Sequence, residues 1–141
     1  MYLLDTNVVS ELRKAGTGRA DEAVLSWAAA ADPDSLHLSV ITLMEIEIGI
    51  LRVERRDSGQ GKALRRWFEG QVLTSFAGRI LPVDEQVAIR CAQLVVPDPK
   101  ADRDALIAAT AGVHDLTVVT RNTTDFEATG VRLLNPWSSN A

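Results

Sequence analysis

The amino-acid sequence predicts an α/β sandwich, because short apolar runs alternate with segments of helical periodicity, and the connections between the runs are long enough for parallel pairing. Strands are predicted at residues 2–4, 36–41, 80–83, 116–120 and 131–134. Helices are predicted from residue 8 and at about residues 21–31, 42–56, 62–76, 84–96 and 102–114. Polar, glycine-containing segments at residues 14–20 and 57–61 are interpreted as loops.

Turn, cap and breaker residues delimit these elements. Asp5-Thr6-Asn7 ends the first strand, Asp21 can cap the second helix, and Thr42 opens the third. Because proline cannot donate to a ladder of hydrogen bonds, Pro82 makes the 80–83 segment an edge strand. Pro97 ends the helix that precedes it. These signals support the alternating order of strands and helices.

Length and composition predict a single globular domain over residues 1–141. Of its 141 residues, 46% are hydrophobic and 24% are charged, which is typical of a folded chain with a substantial core. No apolar run approaches the roughly 18 residues of a membrane span. The lone Cys91 allows no internal disulfide, so a cytoplasmic location is expected. A net charge of −4 argues against nucleic-acid binding by a basic surface alone.

Acidic residues fall beside the predicted carboxyl ends of strands. Asp5 follows the first strand, Glu45 is expected in the first turn of the helix after the second strand, and Asp104 lies in the first turn of the 102–114 helix. Asn122 and Asp125 follow the strand at 116–120. In a parallel sheet, the carboxyl ends of the strands and the amino ends of the following helices share one edge, where sites form. We therefore expect these residues to converge.

Several carboxylates in a small volume need relief of their mutual repulsion by raised pKa values, a basic partner or a cation. Oxygen ligands suit Mg²⁺ or Mn²⁺. A zinc pattern is absent from the sequence, since the two histidines lack a His-x-x-x-His spacing and there is one cysteine. A carboxylate–magnesium site most often acts on phosphates, so the pattern favours phosphoryl chemistry.

A non-catalytic α/β interaction module, in which the same acids serve as helix caps, is the main alternative. Asp5 can cap the first helix, and Asp102 can cap the helix that contains Asp104. Thr42 and Glu45 have the spacing of a capping box, in which Glu45 would bond to the backbone of Thr42. Caps need no metal, so magnesium should leave the stability of such a module unchanged.

A phosphatase with an aspartyl nucleophile at Asp5 is a second alternative. Its chemistry requires an acid two residues later and a lysine near the phosphate. Position 7 is asparagine, and the three lysines occupy loop-like positions. The sequence therefore disfavours this enzyme.

Four blocks of the sequence, in order, carry the acids described above. The blocks are Tyr2-Leu3-Leu4-Asp5-Thr6-Asn7, Leu38-Ser39-Val40-Ile41-Thr42-Leu43-Met44-Glu45-Ile46-Glu47-Ile48-Gly49, Asp104-Ala105-Leu106-Ile107-Ala108-Ala109-Thr110-Ala111, and Val118-Val119-Thr120-Arg121-Asn122 through Asp125-Phe126. Together they resemble the PIN-domain ribonucleases, and in particular the VapC toxins of bacterial toxin–antitoxin pairs. The resemblance spans essentially the whole chain and ends in Asn135-Pro136-Trp137.

The resemblance implies a three-layer sandwich with a mainly parallel central sheet and a metal-dependent endoribonuclease that hydrolyses RNA phosphodiester bonds. Asp5, Glu45 and Asp104 match the family's metal-binding acids and would bind Mg²⁺ or Mn²⁺. The fourth position departs from the pattern, because Asn122 stands where some relatives have aspartate; Asp125 then becomes the fourth catalytic acid, and either residue can complete the site.

The resemblance also implies partners. These are an RNA substrate, a VapB-type antitoxin, and a second copy of the chain in a homodimer or a larger toxin–antitoxin assembly. Operator DNA would be bound only through the antitoxin, and no membrane is involved. For the RNA, the sequence offers one dense basic stretch, which can equally be a solvated helix face; it comprises Arg52, Arg55, Arg56, Arg65 and Arg66.

Overall fold

A computed structural model describes residues 1–137 and contains five strands, all parallel, in the order β3-β2-β1-β4-β5. The strands are β1 (Tyr2–Leu4), β2 (Leu36–Ser39), β3 (Ile80–Leu81), β4 (Thr117–Val119) and β5 (Leu133–Leu134). The α-helices are α1 (Thr6–Leu12), α2 (Glu22–Ala30), α3 (Val40–Arg56), α4 (Ser58–Trp67), α5 (Leu73–Ser75), α6 (Glu85–Val95) and α7 (Asp102–His114). The predicted order of elements is confirmed, and β3 is an edge strand as expected.

Two apolar clusters on opposite faces of the sheet make the three layers. Leu4 of β1 packs with the helices α1 to α4 on one face, where the buried residues include Val8 and Ile50. Its neighbour Leu3 points to the other face and packs with Ile107 of α7. Successive side chains of a strand point to opposite faces, so the two leucines join both clusters to the central strand. The predicted three-layer sandwich is confirmed.

The strand order places a crevice at the carboxyl end of β1. From β1 the chain proceeds outward through β2 to β3, and then returns to β4 on the other side of β1. Crevices of open α/β sheets form where the order reverses in this way. Asp5 follows β1 and Thr120 follows β4, so both residues flank this reversal.

The helix after β2 begins earlier than the sequence predicts. Residues 40 and 41 are helical instead of extended, and Ser39 is the N-cap, with its hydroxyl accepting from the Ile41 N–H at 3.0 Å. Thr42 therefore does not open the helix. The shift places Glu45 in the second turn of α3 instead of the first. Its side chain therefore lies one turn beyond the backbone N–H groups that a capping residue would accept from.

The predicted loop at residues 57–61 is wrong, because α4 begins at Ser58. Asp57 caps α4 by accepting from the Gln60 N–H at 3.1 Å. Gly61 is buried where α4 crosses α3, and a Cβ at this position would lie 2.8 Å from the Glu54 Cα. The glycine thus marks a close helix–helix contact, whereas the sequence pattern predicts a polar loop at this position.

No helix within residues 1–137 is both long and apolar enough to cross a membrane.

Candidate active site

An open cleft of about 450 Å³ lies at the carboxyl edge of the sheet. Three of the four predicted acids line it: Asp5, Glu45 and Asp104. They come from the end of β1, from α3 and from the first turn of α7, and are far apart in the sequence. The predicted convergence of these three acids on one edge of the sheet is therefore confirmed.

Asp5 is the most buried of these acids, with 7% of its surface exposed, and both its oxygens are hydrogen-bonded. Oδ1 accepts from the Thr6 N–H at 2.8 Å, so Asp5 does cap α1. Oδ2 accepts from the Thr120 hydroxyl at 2.8 Å and from the Asn7 amide at 3.4 Å. The carboxylate is thus held in one orientation at the bottom of the cleft, which goes beyond capping.

Burial raises the pKa of the Asp5 carboxyl, and the negative charges of Glu45 and Asp125 raise it further, against the lowering effect of the bonds from Thr120 and Thr6. The pKa of Asp104 is also raised, first by burial and then by the charges of Asp5, Asp125 and Glu45. The negative charges of Glu45 and Asp125 thus act on both Asp5 and Asp104. A divalent cation between them would relieve the repulsion.

Glu45 is oriented by a residue of the first block. The Thr6 hydroxyl donates to Glu45 Oε1 at 2.6 Å, and the Arg103 guanidinium lies 3.7 Å from Oε2. The predicted capping box with Thr42 is therefore wrong. Thr42 is fully buried, and its hydroxyl has no hydrogen-bond partner within the described residues. Of the proposed caps, Asp102 also fails, since the N-cap of α7 is Ala101, which provides no side-chain bond.

Asn122 and Asp125 are the two candidates for the fourth residue of the acidic site. Asn122 lines the cleft, and its backbone N–H donates to the Thr120 hydroxyl at 3.0 Å. Asp125 lies in a short 3₁₀ turn, is exposed and does not line the cleft, although its charge acts on Asp5 and Asp104. The structure thus places Asn122 in the wall of the cleft, whereas Asp125 lies outside the lining and acts on Asp5 and Asp104 through its charge.

The chemistry of the donors fits a hard divalent ion, since the cleft offers carboxylate, amide and hydroxyl oxygens. Across residues 1–137, however, no three histidine, cysteine, aspartate or glutamate side chains are arranged to hold an ion as they stand. Arg103 lies 3.7 Å from Glu45 Oε2, so a cation bound at this carboxylate would compete with the arginine.

Thr120 is a site residue that the sequence reasoning missed. It is fully buried, and its hydroxyl donates to Asp5 while accepting from the Asn7 amide at 3.2 Å and from the Asn122 N–H. One hydroxyl thereby joins the first and fourth blocks. Thr120 comes directly after β4, which pairs with β1, and this position next to Asp5 is the feature of the sequence that could have indicated its role.

Replacing Thr120 with valine should lower the free energy of unfolding by about 1–3 kcal/mol, because Asp5 Oδ2 loses its buried donor. Affinity for Mg²⁺ should fall by about 10- to 100-fold, as for other supports of metal ligands. Chemical denaturation and calorimetric metal titration measure the two effects. Thr42→Val is the matched control: it removes a buried hydroxyl that has no partner, so it should be neutral or stabilising. Equal losses in both variants would contradict the role of Thr120.

The requirements of the aspartyl-phosphatase alternative are not met. Asn7 occupies the position of its second acid and donates to Asp5 instead. Neither Lys14 nor Lys100 lines the cleft; Lys14 pairs with Glu11 at 3.1 Å, and Lys100 donates to backbone carbonyls. A phosphoryl group on Asp5 would therefore have no lysine beside it.

Comparison with known proteins identifies the family of this chain. The model of the PIN domain family matches residues 2–131. The chain is 39% identical to VapC ribonuclease Y4jK of Sinorhizobium fredii, with 97% of the chain and 98% of the relative covered. It is 38% identical to Toxin FitB of Neisseria gonorrhoeae, with 97% and 99% covered. A solved structure of FitAB bound to an IR36 DNA fragment superimposes with a TM-score of 0.86 at 37% identity, covering 97% of this chain and 96% of that chain.

The chain belongs to the PIN-domain family, as a VapC-type member. The resemblance predicted from the four sequence blocks is thereby confirmed.

Proposed function

We propose that this protein is an endoribonuclease that requires Mg²⁺ or Mn²⁺ and acts as the toxin of a VapBC-type toxin–antitoxin pair. The observation that carries the proposal is the convergence of Asp5, Glu45 and Asp104 on one open cleft, where the charge of Asp125 also acts on Asp5 and Asp104. Two further facts support it: the chain is a VapC-type PIN domain, and a relative that matches it almost end to end is named a ribonuclease.

In this proposal Asp5, Glu45 and Asp104 hold the metal. When bound, the ion polarises the phosphate and lowers the pKa of water, so that hydroxide is available at neutral pH. Thr120 and the Thr6 N–H keep the Asp5 oxygens aimed into the cleft. The Thr6 hydroxyl keeps one Glu45 oxygen in place.

The remaining polar groups act on water and on the phosphate. Asp125 is assigned to orienting the attacking water and accepting its proton, since its charge already acts on Asp5 and Asp104. Asn122 offers an amide to water or phosphate from the cleft wall. The open shape of the cleft suits single-stranded or looped RNA, whose backbone and bases are accessible.

A VapB-type antitoxin is the proposed protein partner. The FitAB complex bound to DNA supports it, because this chain matches a chain of that structure over nearly its full length. We propose that the toxin forms a homodimer or a larger assembly and contacts operator DNA only through the antitoxin. A net charge of −4 supports this indirect route to DNA.

The chemistry of the cut ends tests the proposed reaction. With Mg²⁺, the purified protein should cut single-stranded RNA to leave 5′-phosphate and 3′-hydroxyl ends, because water attacks the phosphorus. A substrate with 2′-O-methyl groups at the cut site should still be cleaved, since the 2′-hydroxyl is not the nucleophile. Phosphatase-sensitive 5′ end-labelling and mass spectrometry of the fragments measure this. Cyclic 2′,3′-phosphate ends formed in EDTA would contradict the proposal and indicate another ribonuclease.

A further inference from the structure

Arg121 stands out among the residues that line the acidic cleft. It is exposed, and of the described residues lining the cleft it is the one with a permanent positive charge. An RNA strand that approaches Asp5, Glu45 and Asp104 brings phosphates toward carboxylates, and a cation at the wall offsets that repulsion. We propose that Arg121 binds a phosphate of the substrate strand beside the metal-binding acids. The inference rests on the proposed function.

A buried tryptophan holds the Arg121 side chain in place. The guanidinium carbon lies 5.4 Å from the centre of the Trp137 ring, within the range of a cation–π contact. The Trp137 side chain is buried, with only 5% of the residue exposed, and the backbone N–H of Trp137 donates to Asn135 Oδ1 at 2.9 Å. The indole is therefore a fixed support for the arginine. Its burial leaves no room for an RNA base to stack on it.

The backbone of Arg121 is tied to the acidic centre itself. Its N–H donates to Asn7 Oδ1 at 3.3 Å, and the amide of Asn7 donates to Thr120 and Asp5. The backbone of Arg121 is thus connected to Asp5 through the side chain of Asn7. A guanidinium that makes a cation–π contact can still direct its N–H donors to a phosphate, whose oxygens can accept two of them.

Two other arginines that could meet RNA already pair with carboxylates. Arg65, in the basic stretch predicted to attract RNA, pairs with Glu47 at 2.6 Å and with Glu54 at 3.1 Å. Arg103 lies 3.7 Å from Glu45 Oε2 but does not line the cleft. Within residues 1–137 no carboxylate pairs with the Arg121 guanidinium. Among the described residues that line the cleft, Arg121 therefore offers a phosphate an unpaired guanidinium.

RNA binding at several salt concentrations tests the assignment. The protein carries Asp104→Asn so that the probe, a fluorescein-labelled single-stranded RNA of mixed sequence, stays intact during anisotropy measurements. Adding Arg121→Gln should weaken binding about tenfold. The slope of log K against log salt should fall by about 0.7, the contribution of one phosphate contact on a single strand. Arg121→Lys should restore the slope while recovering only part of the affinity, because lysine keeps the charge but not the fork of donors.

Arg132→Gln is the matched control, since this exposed arginine pairs with Asp115 at 2.9 Å and lies at the opposite, amino end of β4. It should leave both affinity and slope unchanged. If Arg121→Gln behaves like Arg132→Gln, the assignment is wrong, even where the wild-type protein cuts RNA. If the wild-type protein cuts no RNA but the Arg121 effect on binding remains, the nuclease proposal fails and the phosphate contact stands.

Discussion

Replacing Asp104 with asparagine is expected to reduce RNA cleavage by at least about 100-fold, because substitutions of residues that merely support metal ligands already cost 10- to 100-fold. The same change should leave the melting temperature in EDTA unchanged or raise it. Asp104 is half-buried, and its pKa is raised by burial and by the charges of Asp5, Asp125 and Glu45. An uncharged amide relieves that repulsion, so activity should fall while the metal-free stability does not.

Asp102→Asn is the matched control for this prediction. Asp102 lies two positions earlier on α7, is exposed and does not line the cleft. The chemical change is identical, so initial cleavage rates should stay near those of the wild-type protein. Two results would contradict the account: full activity in Asp104→Asn, or an equal loss in Asp102→Asn.

The second prediction with a large expected effect is a pH dependence of the protein's stability that Mg²⁺ reverses. In EDTA, the folded protein should lose stability as the pH rises above the ordinary aspartate pKa of 3.8 and through the raised pKa values of Asp5 and Asp104. The sign follows from linkage: a carboxyl whose pKa is higher in the folded state binds its proton more tightly there, so its stabilising contribution disappears on ionisation. Each such carboxyl changes the free energy of unfolding by up to about 1.4 kcal/mol per pH unit across that interval.

Mg²⁺ should reverse this loss, because it binds the ionised carboxylates of the folded chain and stabilises that chain by mass action. Denaturation curves with Mg²⁺ and with EDTA should therefore coincide at low pH and diverge as the pH rises. Glu47, whose pKa is lowered by its hydrogen bond with Arg65, does not line the cleft, so its contribution should be equal in both curves and cancel in the difference. Superimposed curves at every pH would show that the acids do not bind the ion and would favour the non-catalytic module.

Much of this arrangement could be predicted from local pattern. Asp5 follows a short buried strand, and Asp104 opens a helix that must return along the sheet, so their meeting at one edge follows from parallel α/β topology. The strand order itself was not needed for that inference. Strand and helix order was predictable for the same reason, since the apolar periodicity of each segment is a local property.

The features that the sequence did not predict depend on contacts between segments that are far apart in the chain. Glu45 has the spacing of a cap for Thr42, but its actual partner is Thr6, 39 residues away in the chain. Gly61 was interpreted as part of a loop because the close approach of α3 that requires a glycine is invisible in the sequence. Thr120 can donate to Asp5 only because β4 lies beside β1 in the sheet. Trp137 can support Arg121 only because the segment after β5 lies beside that arginine.

The most direct test of the central claim compares one defined RNA under four conditions: wild-type protein and Asp104→Asn, each with Mg²⁺ and each with EDTA. Fragments are resolved on a denaturing gel, and both proteins are purified by the same steps. We expect cleavage by the wild-type protein with Mg²⁺ and no cleavage under the other three conditions. Cleavage of equal extent in EDTA, or by the Asp104→Asn protein, would show that the carboxylate site is not the source of the activity.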